Sequence, residues 1–197
     1  MNVYILLDRS GSMSSLWNEA IGSINGYVKN LTPATKIHLA VFDNISYDVL
    51  RDCKAKDWKD LTDKDALPRG GTPLYDSCGK IMSTAEAAKS KKTMLVVMTD
   101  GYENASTEYT KEAIKAKVEA WDKKDWEVVF LGANFDKVDD VSKQVGVTRD
   151  KTISYSQGTF NVGMNSLAVS TCTYGTTGER VKFDDTIRAQ TSKKVES

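Results

Sequence analysis

A carboxylate and two hydroxyls fall within five residues, Asp8-Arg9-Ser10-Gly11-Ser12, directly after the apolar run Val3-Tyr4-Ile5-Leu6-Leu7. Side-chain oxygens this close together are hard donors, which suit Mg²⁺ or Mn²⁺ far better than zinc or copper. Two more oxygen-bearing turns follow, Gly70-Gly71-Thr72-Pro73 and Thr99-Asp100-Gly101. If the three turns meet, Asp8, Ser10, Ser12, Thr72 and Asp100 surround one small divalent cation. Mg²⁺ takes six oxygens at about 2.1 Å and keeps several waters, so few direct protein ligands suffice. Hydroxyls are weaker donors than carboxylates, and the ion they hold keeps an attraction for an external carboxylate. Taken singly, the same residues also read as ordinary structure. Ser10 and Ser12 would cap the first helix, Thr72 a later one, and Asp100 would shape a turn.

Whether the turns meet depends on the elements that carry them. Apolar runs predict strands over 2–7, 36–43, 93–99 and 126–131, with a short edge strand over 152–155. Alternation over 45–53, after the Asp43-Asn44 turn, predicts a strand antiparallel to the second. Helical spacing of Leu16, Ala20, Ile24, Tyr27 and Leu31 predicts a helix over 13–31, stopped by Thr32-Pro33. Further helices are expected over 74–89, 109–123, 136–145 and 159–172. Residues 54–69 read as a charged loop with one short helical turn, and 175–197 turn polar without a sustained period.

Strands alternating with helices make an α/β chain: a mainly parallel central sheet with one antiparallel edge strand and helices on both faces. In such sheets ligands gather beyond the carboxyl ends of the parallel strands. Asp8 to Ser12 follows the first strand, and Asp100 follows the strand over 93–99. Thr72 lies on the loop into the helix that precedes that strand. All three turns are therefore expected on one edge.

At this point a resemblance becomes specific. Asp8-Arg9-Ser10-Gly11-Ser12-Met13, Gly71-Thr72-Pro73-Leu74 and Thr99-Asp100-Gly101 resemble the three parts of a metal-ion-dependent adhesion site (MIDAS) in the von Willebrand factor A (VWA) family, in its small bacterial and phage-type members. The likeness covers residues 1–172 and leaves 173–197 as a polar tail or extension. It implies a three-layer Rossmann-like domain with Mg²⁺ at the top of the sheet. Ser10, Ser12 and Thr72 would ligate directly, and Asp8 and Asp100 through water. A protein partner would supply a Glu or Asp to the open position.

Competing chemistries lack parts. A phosphohydrolase of the haloacid-dehalogenase type also begins with a strand ending in Asp, but its second carboxylate is replaced here by Ser10. It stands as the alternative to a binding module. Ser10-Gly11-Ser12 is not Gly-x-Ser-x-Gly, and His38, the one histidine, lies within a strand. No phosphate-cradling glycine loop occurs. The four tryptophans are scattered, as expected of packing residues. Tyr102, Glu103 and Asn104 are expected on the rim of the site, touching a partner or capping the next helix. Arg9 and Arg69 flank the metal or are simply solvated.

Composition sets the remaining bounds. The 197 residues carry 27 basic and 27 acidic side chains, so no net field favours nucleic acid or an anionic membrane. Cys53, Cys78 and Cys172 form no Cys-x-x-Cys pair and read as reduced thiols, with Cys78 in the core. No basic-then-apolar leader is present, and no stretch approaches the roughly 20 apolar residues of a membrane span. The expectation is a cytoplasmic, non-enzymatic, Mg²⁺-dependent protein-binding module.

Overall fold

The computed structural model describes residues 1–133, 135–156 and 158–192. The strands are β1 (Asn2–Asp8), β2 (Lys36–Phe42), β3 (Tyr47–Lys54), β4 (Thr93–Thr99), β5 (Glu127–Ala133) and β6 (Thr152–Tyr155). The helices are α1 (Trp17–Lys29), α2 (Leu74–Ala87), α3 (Lys111–Asp122), α4 (Phe135–Gln144), α5 (Phe160–Thr177) and α6 (Asp185–Ser192). One sheet of six strands runs in the order β3-β2-β1-β4-β5-β6. All neighbours pair parallel except β2 and β3, the antiparallel pair at one edge.

The apolar runs become strands because both faces of the sheet are covered. Val3, Ile5 and Leu7 of β1 pack with Ile24 and Tyr27 of α1 and Leu167 of α5. Tyr4 and Leu6 pack on the other side with Cys78 and Ile81 of α2, Trp121 of α3 and Val141 of α4. This is the expected three-layer α/β arrangement. From β1 the chain winds outward to β2 and β3, then returns to place β4 on the other side of β1. The carboxyl ends of β1 and β4 are thus a topological switch point, where loops diverge and leave a crevice.

Two local expectations change, and the loop over 54–69 keeps its one short helical turn but packs more closely than expected. The helix expected over 13–31 begins as a 3-10 turn, Gly11–Ser15, and becomes α-helical only at Trp17. The Ser14 hydroxyl donates to the Gly11 carbonyl at 2.7 Å, a local bond that competes with regular helix. Residues 54–69 hold a 3-10 turn at Ala55–Asp57, yet Leu61 and Ala66 are buried against α1. There Asn25 accepts from Leu61 N at 2.8 Å and Trp17 Nε1 donates to the Ala66 carbonyl at 3.0 Å. Side-chain bonds from another element need no sequence period.

At the C-terminus, α5 continues through residue 172 to Thr177 and ends on Gly178, whose φ of 83° suits a left-handed cap. α6 then folds back along β6, with Ser156 N and Thr159 Oγ1 donating to the Thr191 carbonyl at 3.1 and 2.7 Å. Residues 193–197 of the expected tail lie outside the described residues. The three cysteines are free, with Cys78 buried. His38 sits early on β2, beside Tyr4, with Nδ1 3.3 Å from Asp52.

Candidate metal centre

Asp8 ends β1 and is fully buried. Its Oδ1 accepts from Ser10 N at 2.7 Å, an Asx turn that swings the chain off the sheet. Its Oδ2 accepts from Thr99 Oγ1 at 2.7 Å, so the last residue of β4 fixes the carboxylate of the adjacent strand. The turn places the Ser10 and Ser12 hydroxyls 3.1 Å apart. Ser12 Oγ then donates to Asp100 Oδ1 at 2.7 Å, joining the first and third turns.

The second turn closes the group. A Cβ built on Gly101 would stand 3.5 Å from Thr72 Oγ1 and 3.8 Å from Ser12 Oγ, so both hydroxyls border one point beside Asp100. Gly11 N donates to the Gly70 carbonyl at 3.1 Å, which ties the first loop to the second. All five residues singled out from sequence therefore stand at the ends of β1 and β4. Asp8, Ser10 and Thr72 are buried beneath, Asp100 is half-buried, and Ser12 is exposed.

The capping alternative does not describe these hydroxyls. Ser10 precedes the 3-10 turn but makes no side-chain cap bond, α1 starts after Leu16, and Pro73 holds the cap position of α2. The Ser10 and Ser12 hydroxyls instead face each other, and Ser12 donates to Asp100.

The electrostatics suit a cation. Burial pushes the Asp8 carboxyl up to about 6, against the Thr99 and Ser10 hydrogen bonds that favour its charge, and Asp100 adds repulsion. Among the described residues no basic side chain forms an ion pair with Asp8 or Asp100. At the end of β6 the Tyr155 hydroxyl is buried without a hydrogen-bond partner. Burial first, then the Asp100 and Asp8 charges, raise that phenol well above its ordinary value. Uncompensated negative charge and clustered hydroxyls are what a hard divalent cation requires. No three His, Cys, Asp or Glu side chains cluster as a metal site among the described residues. The donor set is mostly hydroxyl, which excludes the thiolate and imidazole chemistry of soft-metal centres.

The neighbours of the site were less legible. Arg9 and Arg69 both donate through Nε to Asp43 Oδ2, at 2.7 and 2.8 Å; Arg9 is buried, while Arg69 stays exposed as well as paired. Glu103 does not cap the helix that follows it. It accepts from Tyr75 N at 2.9 Å, in the first turn of the preceding α2, while Thr110 caps α3. Asn104 bonds Thr72, and Asn44 bonds Gly71, each through Oδ1. Thr99, Asp43, Asn44 and Asn104 thus support the site in roles that the sequence did not assign, although Thr99 stands in the third turn, Asp43 and Asn44 in the turn after β2, and Asn104 where the rim was expected. Polar residues at turns were their only local mark, and their partners lie tens of positions away.

Over residues 1–133 the chain matches the family described as VWA domain containing CoxE-like protein. No curated protein matches it. The fold is similar to that of a von Willebrand factor type A protein from Catenulispora acidiphila, with TM-score 0.61 and 15% identity over 87% of this chain and 42% of that one. The ArnB paralog VWA2 from Sulfolobus acidocaldarius aligns with TM-score 0.58 and 15% identity, covering 86% of this chain and 43% of that one. Proximal thread matrix protein 1 from the mussel byssus, in a structure with a zinc-occupied MIDAS motif, aligns with TM-score 0.67 and 12% identity over 87% and 45% of the two chains. This chain spans less than half the length of each of these three.

Proposed function

The chain belongs to the family of VWA domain containing CoxE-like proteins, and we propose that it acts as a binding module whose divalent metal, Mg²⁺, is held by Asp8, Ser10, Ser12, Thr72 and Asp100. VWA domains mediate metal-dependent protein interaction, which supplies the class of function. The observation that carries the finer reading is the convergence of Ser10, Ser12 and Asp100 at 2.7 to 3.1 Å, with hydroxyls not consumed by capping. The mussel relative with a zinc-occupied MIDAS motif supports a metal at the corresponding edge of the fold.

When bound, the ion supplies a Lewis-acid position that accepts a carboxylate oxygen from outside. The residues of the chain prepare that position. Asp8, anchored by Thr99 and Ser10 N, would provide charge beneath the ion, while Ser10, Ser12 and Thr72 would hold it with neutral oxygens. Exposed Ser12 marks the open side, where the Glu or Asp of a protein partner would enter. The module has no catalysis of its own: Ser10 stands two residues after Asp8, where a phosphohydrolase needs its second carboxylate, and the comparisons lend that alternative no support. The unpaired cysteines favour a cytoplasmic setting.

Calorimetric titration of the full chain with MgCl₂ tests the site. One Mg²⁺ should bind to the wild type, and Asp8→Ala or Ser10→Ala should lower the affinity at least about tenfold, on the scale of lost metal-site partners. Affinity unchanged in both variants would remove these residues from the site. Retention of a captured partner in EDTA would remove the metal from the contact.

A further inference from the structure

Gly71 and Thr72 are each gripped by one asparagine that uses two points. Asn44 donates its N–H to the Gly71 carbonyl at 3.1 Å and accepts Gly71 N on Oδ1 at 2.7 Å. Asn104 donates its N–H to the Thr72 carbonyl at 3.1 Å and accepts Thr72 N on Oδ1 at 2.8 Å. All four backbone polar groups of two consecutive residues are thereby held by two side chains and their backbones.

The glycines beside Thr72 provide the room. A Cβ on Gly70 would lie 2.1 Å from Asn44 Oδ1, and one on Gly71 would lie 2.9 Å from Asn104 Oδ1. The asparagine oxygens occupy the space that larger residues would fill. Each asparagine is in turn fixed from a different direction. Asn44 follows Asp43, whose carboxylate binds Arg9 and Arg69. Asn104 follows Glu103, whose carboxylate binds Tyr75 N, Ala105 N and Ser106 N at 2.9, 2.7 and 2.6 Å. Asn104 also lies four residues after Asp100, so the clamp couples the second and third turns directly.

We propose that the Asn44–Asn104 clamp is a specificity device: it holds the backbone that carries the Thr72 hydroxyl, beside Gly101, so rigidly that the centre favours Mg²⁺ over Ca²⁺. The inference rests on the metal-site reading above. Mg²⁺ demands near-ideal octahedral geometry at short distances, whereas Ca²⁺ accepts six to eight oxygens at longer ones and tolerates flexible ligands. Rigidity in the loop that carries one ligand therefore serves the smaller ion, and loosening it penalises that ion more. Asn44 and Asn104 are positioning residues, acting through the backbone of Gly71 and Thr72.

The test titrates the full chain with MgCl₂ and, separately, CaCl₂ by calorimetry, with metal-free unfolding followed in parallel. Asn104→Ala and Asn44→Ala should each weaken Mg²⁺ by about 10-fold or more, the usual effect of losing a partner that orients a ligand. Ca²⁺ should weaken by less than about threefold, because its shell adapts. Asn104→Asp keeps the Oδ1 acceptor and should restore the Mg²⁺-to-Ca²⁺ ratio. Gly71→Ala leaves both asparagines in place but pushes Asn104 Oδ1 aside, and it should lower the ratio even if the alanine variants fail to fold. A ratio unchanged in Gly71→Ala and in the folded asparagine variants overturns the proposal and makes the clamp purely structural. A wild type that binds neither ion overturns the metal-site reading itself, a result distinct from an unchanged ratio.

Discussion

Asp43 shows how much a single turn residue contributes once its partners are in place. Its carboxylate accepts from Ile45 N and Ser46 N at 2.6 and 2.8 Å, and from Arg9 and Arg69 at 2.7 and 2.8 Å. Burial alone would raise this carboxyl, but the Arg69 bond, the Ser46 and Ile45 N–H groups and the Arg9 charge hold it below the ordinary range. Arg9, between Asp8 and Ser10 in the chain, joins this cluster to the first turn: its N–H donates to the Phe42 carbonyl and its carbonyl accepts from Arg69 N. Asp43→Ala would leave Arg9 buried with only Asp48 and Ser46 as polar partners. A loss of about 3 kcal/mol is expected, on the scale of breaking a buried ion pair. Urea unfolding measures it, and a loss below about 1 kcal/mol would mean that Asp48 alone suffices for Arg9.

Among the elements, α2 and the loop after β4 brace each other. Glu103 reaches α2, while Asp76 of α2 reaches back to accept from Thr107, Glu108 and Tyr109 N at 2.8, 2.9 and 2.8 Å. Burial would raise the Asp76 carboxyl, yet those three N–H donors hold it below its ordinary value. A carboxyl lowered on folding stabilises the protein above the unfolded pKa, near 3.9, and that contribution is lost as pH falls through the folded value. Asp76→Asn should therefore cost about 1–2 kcal/mol at pH 7 and flatten the acid limb of the stability curve below about pH 4. Stability measured from pH 7 to pH 2.5 checks both; parallel curves for the two proteins would contradict the assignment.

The same brace explains a glycine inside α2. A Cβ on Gly79 would lie 2.6 Å from three atoms of the Tyr109 ring, so the helix carries glycine where the loop's aromatic lies on it. Gly79→Ala should destabilise by about 1–3 kcal/mol through overpacking, despite the better helix propensity of alanine. Gly22 of α1 has nothing within 4 Å of a built Cβ, and Gly22→Ala should instead stabilise by about 0.5–1 kcal/mol. Thermal unfolding of the pair decides the point by the opposite signs.

For the whole molecule, the sheet order places β1 and β4 side by side, and the proposed metal centre lies at the carboxyl ends of this central pair. A ligand bound there would tie together the loops that follow β1, β3 and β4, so binding should register in global stability. Mg²⁺ at a hundredfold excess over its Kd should add about 2.7 kcal/mol. In a domain of this size that raises Tm by roughly 5–10 °C. The shift should vanish in Ser10→Ala and in EDTA, and a wild-type Tm indifferent to Mg²⁺ would count against a site that binds the folded state.

The strand and helix sequence, the three-layer α/β class and the grouping of Asp8, Ser10, Ser12, Thr72 and Asp100 could be argued from the chain alone. Apolar runs report burial on both faces, and a residue's place after a parallel strand reports its edge. Local spacing carries that information because it acts within one element or one turn. The partners of Asp43, the path of α6 along β6 and the grip of Asn44 and Asn104 on Gly71 and Thr72 could not be read in this way. Those contacts join residues whose nearness arises only when separate elements pack, and a hydrogen bond across the fold leaves no period in the sequence. The opening Asp-Ser-Ser turn thus offered its hard oxygens by composition, while the bonds that hold the Thr72 turn came from asparagines on two other loops.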